Sequence, residues 1–126
     1  MKLEPANADA MSNLGVLLAQ QNKFDQAIEC YRKAIELESN LIVAHGRLGL
    51  ALVQLGKFDE AIKEFRIVLK ARPDDVEMHC NLGILLEQQG KTAEAIVEYR
   101  LALQIDPNYA RACERLDAAM SKPKNR

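Results

Sequence analysis

Tryptophan is absent from this chain of 126 residues, and aromatic residues make up only 5% of it. Packing must therefore come mostly from Ala, Leu and Ile. Neither sign of charge prevails: 17 basic and 18 acidic residues leave a formal charge of -1. That balance lacks the basic footprint by which phosphate backbones and anionic membranes are held, so no nucleic-acid or membrane partner is expected. No apolar run approaches the roughly 18 residues of a membrane span. The opening stretch MKLEPANADA has no apolar signal-peptide core. Cysteines are few and widely spaced at 30, 80 and 113, with no C-x-x-C pair. An odd, scattered set is no disulfide framework, so free packing thiols and a cytoplasmic location are expected.

What the chain does have is a period. Leu14-Gly15, Leu48-Gly49 and Leu82-Gly83 recur every 34 residues. In the same register come Leu18, Leu52 and Leu86, then Gln20, Gln54 and Gln88, then Lys23, Lys57 and Lys91. Ala27-Ile28, Ala61-Ile62 and Ala95-Ile96 come next, then Tyr31, Phe65 and Tyr99, then Arg32, Arg66 and Arg100. A fixed period of this size marks a solenoid whose unit cannot bury its apolar face alone.

Within a unit the apolar spacing is helical. Leu48, Ala51, Leu52 and Leu55 fall at i, i+3, i+4 and i+7, and Ala61, Phe65, Val68 and Leu69 do much the same. Asn22, Gly56 and Gly90 stand where a left-handed residue would end the first helix. Pro73 and Pro107 end second helices, and Asn40, Asp74 and Asn108 are candidate caps for the next helices. Helices are expected near 8–21, 25–38, 42–55, 59–71, 76–89, 93–105 and 109–120. Glycine inside a helix costs about 1 kcal/mol relative to alanine. Gly15, Gly49 and Gly83 therefore imply a close crossing, expected against Ala27, Ala61 and Ala95. The aromatics would fill the gap one turn on.

The chain divides into a remnant of a preceding repeat at 1–7, units at 8–41, 42–75 and 76–109, a capping helix at 110–121 and a frayed tail at 122–126. In the cap, Ala112, Cys113, Leu116 and Met120 should face the third hairpin. Arg111, Glu114, Arg115, Asp117 and Lys122 should face water. Met1 to Pro5 lies in register with Leu103 to Pro107, as the last turn of another hairpin would. The chain thus reads as the C-terminal piece of a longer repeat protein, with apolar surface near Ala10 and Met11 uncovered. Self-association through that uncapped first hairpin is an accompanying expectation.

These residues resemble the tetratricopeptide repeat family: Leu-Gly, then Ala, an aromatic and Pro at the 34-residue period. The resemblance covers residues 8–109. Met11, His45 and His79 depart from it where the family often has a bulky residue. Ser39 replaces the first unit's Pro, and Thr92 the third unit's Phe. The resemblance implies an all-α solenoid of three helix-turn-helix repeats. It further implies a right-handed superhelix whose first helices line a concave groove for a peptide or protein, without catalysis.

In that groove the resemblance places Asn13, Arg47 and Asn81, then Val16, Leu50 and Ile84, then Gln20, Gln54 and Gln88. Asp9, Val43 and Glu77 form an outer rung, and Ser12, Gly46 and Cys80 a small one. Amides can donate to and accept from a peptide main chain at once. Arg47, the one cation among these rungs, can pair bidentately with a carboxylate or phosphate. Asn13 and Asn81 resemble the asparagine ladder of O-linked N-acetylglucosamine transferase repeats, which Arg47 interrupts. A different subfamily clamps chaperone C-terminal carboxylates with Lys and Asn at set places, which here hold Ser12, Val16, Arg47, Glu77 and Asn81, so the basic clamp is mostly missing. That argues against chaperone-tail binding.

No enzyme, cofactor or metal site is expected. The chain has no P-loop, G-x-G-x-x-G or G-x-S-x-G. His45 and His79 share a register with Met11 and Cys113 and read as packing residues. Glu60 and Glu64 beside Lys63 and Arg66 read as exposed charge pairs. The expected function is a protein-interaction scaffold. The alternatives are a substrate-docking segment of a larger enzyme such as a glycosyltransferase, or a self-assembling solenoid.

Overall fold

Three closures of the same kind set the rhythm of the chain. Asn22, Gly56 and Gly90 all take positive φ, at 64°, 76° and 79°. At each, the next residue's N–H reaches back to a carbonyl five residues earlier: Lys23 to Leu18, Lys57 to Leu52 and Lys91 to Leu86, at 2.8–2.9 Å. The left-handed residue's own N–H bonds Ala19, Val53 or Glu87, at 2.9 Å each. This is the Schellman closure, which satisfies carbonyls that a helix end would leave bare.

The computed structural model describes residues 5–121. They form seven helices: α1 (Pro5–Gln20), α2 (Phe24–Leu37), α3 (Ile42–Gln54), α4 (Phe58–Ala71), α5 (Val76–Gln88), α6 (Thr92–Ile105) and α7 (Ala110–Ser121). These match the expected spans closely. The clearest difference is α1, which starts at Pro5, where proline's missing N–H and fixed φ suit a first helical position. Residues 1–4 and 122–126, including Lys122, lie outside the described residues.

The chain parts into two compact units between Ala71 and Arg72. In the first unit α1 packs on α2, α2 on α3, and α3 on α4. In the second α5 packs on α6, and α7 closes against both.

Inside each hairpin the glycine meets the aromatic, which corrects the expected glycine-alanine crossing. A Cβ placed on Gly15, Gly49 or Gly83 would lie 2.5 Å from Cε1 of Tyr31, Phe65 or Tyr99 respectively. The flat ring occupies the space a side chain would need. Ala27, Ala61 and Ala95 are fully buried one turn earlier.

The caps also differ from expectation. Asp75, not Asp74, caps α5 by accepting from the Met78 N–H at 3.0 Å. Leu41 precedes α3 without a side-chain cap. The Asn108 N–H donates to Asp106 Oδ1 at 3.1 Å, forming an Asx turn before α7. In α7, Ala112 and Ala119 are buried, Cys113 and Leu116 half-buried, and Met120 exposed. The closing helix therefore turns Ala119, not Met120, inward.

His45 and His79 are buried, as packing residues would be, but each also makes a polar tie. His45 Nδ1 lies 2.7 Å from Glu64 Oε1, and its Nε2 lies 3.0 Å from the Ser39 carbonyl. His79 repeats this with Glu98 at 2.9 Å and the Pro73 carbonyl at 2.7 Å. A carbonyl only accepts, so each Nε2 donates to it, and the bond to the glutamate holds a second proton between Nδ1 and the carboxyl group. Each imidazole thus joins a hairpin's two helices to the loop that enters it. In the same register Cys113 Sγ lies 3.8 Å from the Pro107 carbonyl. Glu64 is therefore no free surface charge. Glu60, exposed as expected, pairs with Arg32 of the preceding hairpin at 3.2 Å.

Candidate functional site

The first unit holds a cleft of about 480 Å³. Ala19, Asn22, Phe24 and Tyr31 line it from the first hairpin. Arg47, Leu50, Ala51 and Gln54 line it from α3. The sequence explains the opening. Small Ala19 stands where the register puts Val53 and Glu87 in the later hairpins, and small Ala51 adjoins Leu50.

Arg47 is half-buried at the cleft edge. Its Nη1 donates to Ser12 Oγ at 2.8 Å and to Asn13 Oδ1 at 3.4 Å. Both acceptors are neutral, so among the described residues the guanidinium has no carboxylate within ion-pair reach. Tyr31 lies below, 2% exposed. Burial pushes its hydroxyl pKa up, and the nearby Arg47 charge pulls it down.

The expected site residues separate into three groups. Arg47, Leu50 and Gln54 come together along the cleft, and Asn13 joins them through Arg47. Leu50 is 47% exposed, so it is surface and not core. Val16 is half-buried and Gln20 exposed on α1, and neither lines the cleft. On α5 of the second unit Asn81 and Ile84 are half-buried and Gln88 is exposed. Two members of the small rung are not surface at all: Ser12 and Cys80 are 2% and 0% exposed. Ser12 serves instead as the acceptor that holds Arg47. The sequence reading missed Tyr31, Ala19, Asn22 and Phe24 as cleft residues. Comparing position 19 with 53 and 87 down the repeat would have found the gap.

The second unit fills the corresponding place from within. Glu87 on α5 accepts from the Tyr99 hydroxyl at 2.6 Å and lies 3.6 Å from Arg115 Nη2 on α7. Burial, then the bond to Glu87, pushes the Tyr99 hydroxyl up to about 12. Arg115, expected to face water, is thus half-buried over a tyrosine and a carboxylate.

The thiols of Cys30 and Cys80 are shifted upward, burial being the largest cause for both. That favours the unreactive protonated form. Among the described residues no helix is long and apolar enough to cross a membrane. Nor do three His, Cys, Asp or Glu side chains gather there as metal ligands would.

Solved structures share this fold. The first tetratricopeptide domain of Spaghetti (RPAP3), bound to the HSP90 peptide SRMEEVD, matches with a TM-score of 0.87 at 22% identity, over 94% of each chain. The second such domain of human RPAP3, in complex with the HSP70 peptide SGPTIEEVD, matches with a TM-score of 0.87 at 21% identity, over 94% of this chain and all of that one (100%). MamA matches with a TM-score of 0.86 at 22% identity, over 92% of this chain and 68% of its own. At these identities the likeness is one of fold. Among curated proteins no sequence matches this chain. Residues 47–110 match the family described as tetratricopeptide repeat, and residues 8–41 match a second model of the same description. With the three Schellman closures and the repeated ring-over-glycine contact, these matches make the chain a member of the tetratricopeptide repeat family, an all-α solenoid of helical repeats.

Proposed function

We propose that this chain is a non-enzymatic interaction module that binds an extended peptide segment on the face shared by α1 and α3. Asn13, Val16, Gln20, Arg47, Leu50 and Gln54 form that face. Asn81, Ile84 and Gln88 form its counterpart on α5. The observation that carries the reading is the cleft edge: exposed Leu50 beside a guanidinium that, among the described residues, bonds only neutral oxygens. Leu50 offers apolar surface to a side chain, while Arg47, Asn13 and Gln54 offer donors and acceptors to a main chain. The peptides held by the two RPAP3 domains support a peptide as the class of partner.

The test starts from peptides selected on the full chain from a random displayed library. Affinities are then measured on the Asn13→Ala, Arg47→Ala, Asn81→Ala triple variant, with helicity checked by circular dichroism. At least tenfold weaker binding is expected. Unchanged affinity in a folded variant would sink this reading.

A further inference from the structure

The repeats carry their own template for what the open cleft accepts. In the third hairpin, three side chains form one cluster: Tyr99 on α6, Glu87 on α5 and Arg115 on α7. Sixty-eight residues earlier the same register positions hold Tyr31, Ala19 and Arg47. The tyrosine and the arginine are present, and the carboxylate is missing. The middle hairpin lacks the hydroxyl, with Phe65 and Val53 in those places.

The two tyrosine rings are seated on their glycines in the same way. Tyr31 Cε1, Cδ1 and Cζ lie 2.5, 2.8 and 3.0 Å from a Cβ placed on Gly15. The matching Tyr99 atoms lie 2.5, 2.8 and 3.1 Å from one placed on Gly83. Ala19 and Glu87 each stand four residues beyond that glycine, one turn along the same helix face. A hydroxyl seated this way reaches a carboxylate at 2.6 Å in the third hairpin. In the first it finds no hydrogen-bond partner among the described residues, and Tyr31 lines the cleft. Among the described residues Arg47 engages only Nη1, on Ser12 and Asn13. Its remaining donors are available to a second acceptor.

We infer that this cleft takes a glutamate side chain from a bound peptide, its carboxylate seated between the Tyr31 hydroxyl and the Arg47 guanidinium where Glu87 sits in the third hairpin. The proposal rests on the peptide-binding reading above and names what that site selects. A glutamate fits better than a bare anion because Ala19, Ala51 and Leu50 supply apolar wall for its methylenes. A charge-assisted bond to arginine together with a hydroxyl gives the site discrimination between acid and amide.

The test uses three capped or uncapped pentapeptides, titrated into the isotope-labelled full chain at low salt and monitored by NMR. They are acetyl-Ala-Ala-Glu-Ala-Ala-amide, its Gln counterpart, and the Gln peptide with a free C-terminal carboxylate. The Glu peptide should bind at least fivefold tighter than the Gln amide and shift Arg47 Nε–H and the Ala19 and Asn22 amides. Arg47→Gln and Tyr31→Phe should each remove the preference, and Phe65 shows that the register tolerates Phe. Ala19→Glu should supply the carboxylate internally, remove the preference and raise the Tyr31 ionisation toward that of Tyr99. Equal binding of Glu and Gln peptides would overturn the inference, as would tighter binding of the free-acid Gln peptide, which would assign the site to chain ends. So would a folded Ala19→Glu variant with Tyr31 ionisation unmoved. If library peptides still depend on Asn13, Arg47 and Asn81 while Glu gains nothing over Gln, the peptide-binding reading survives and this one fails.

Discussion

The first and third hairpins share a backbone plan and differ in what lies inside it. Both close their first helix with a Schellman turn, and both lay a tyrosine ring over a glycine. The third hairpin ties its helices with His79–Glu98 and with Tyr99–Glu87. The first has Met11, Cys30 and Ala19 in the places of His79, Glu98 and Glu87. The helical neighbours differ as well. Leu82 and Leu85 on α5 are 1% and 2% exposed, whereas Leu14 and Leu17 on α1 are 45% and 56% exposed. The period therefore encodes the backbone closure and the ring contact, while the polar ties are optional. In the first hairpin, where Ala19 stands in the place of Glu87, a cleft opens.

The largest expected effect is at the ring contact. By helix propensity alone, glycine to alanine in a helix interior gains about 1 kcal/mol. At Gly83 the new Cβ would meet Tyr99 at 2.5 Å, and α5 is too buried to shift. Gly83→Ala should therefore lose about 1–3 kcal/mol net, the usual range for overpacking. Gly15→Ala faces the same 2.5 Å overlap with Tyr31, but α1 is less enclosed and can give. Its loss should be smaller. Urea denaturation of both variants checks the order, and a stabilised Gly83→Ala protein would break the comparison at its shared element.

Next in size is the histidine tie. Removing His79 leaves the Glu98 carboxylate, only 14% exposed, and the Pro73 carbonyl without their partner. Leaving a buried polar group unsatisfied costs about 1–3 kcal/mol, and His79→Ala should fall in that range. The first hairpin supplies the control, because Met11 and Cys30 fill the same two places. His79→Met with Glu98→Cys should recover at least half of the loss. If the double variant is no better than His79→Ala in urea, the two hairpins are not interchangeable at these positions.

Much of this fold was legible because it depends on backbone chemistry that residue types announce. Asn22, Gly56 and Gly90 mark left-handed closures, and apolar spacing marks the helices between them. What stayed hidden depends on side chains far apart in sequence. Ala61 and Phe65 stand one turn apart, and both are plausible partners for Gly49. Only coordinates show that the ring takes the contact. His45 and Glu64 are 19 residues apart, so nothing local links them. The cleft rests on the smallness of Ala19, and an absent side chain is visible only against Val53 and Glu87 in the same register. Arg47 was legible as the lone cation, but Ser12, its acceptor, looked like surface.

The smallest expected effect, in which the third hairpin's extra carboxylate takes part, is in alkaline stability. The folded-state pKa of Tyr99 is raised to about 12 from an ordinary 10. Burial is the largest cause, and the bond to Glu87 comes second. A raised value means that folding favours the protonated hydroxyl. The resulting stabilisation is complete below pH 10 and is lost as the pH climbs through 12. At pH 8, Tyr99→Phe should cost about 1 kcal/mol, the net worth of one hydrogen bond. That deficit should shrink steadily above pH 10, because the wild type alone has a proton to lose there. Tyr31→Phe removes a hydroxyl with no hydrogen-bond partner among the described residues, so its cost at pH 8 should be smaller than that of Tyr99→Phe. Urea midpoints measured on wild type and both variants from pH 8 to 12 would test this. A Tyr99→Phe deficit that stays constant across the range would mean that Glu87 and Tyr99 do not form the pair that separates the third hairpin from the first.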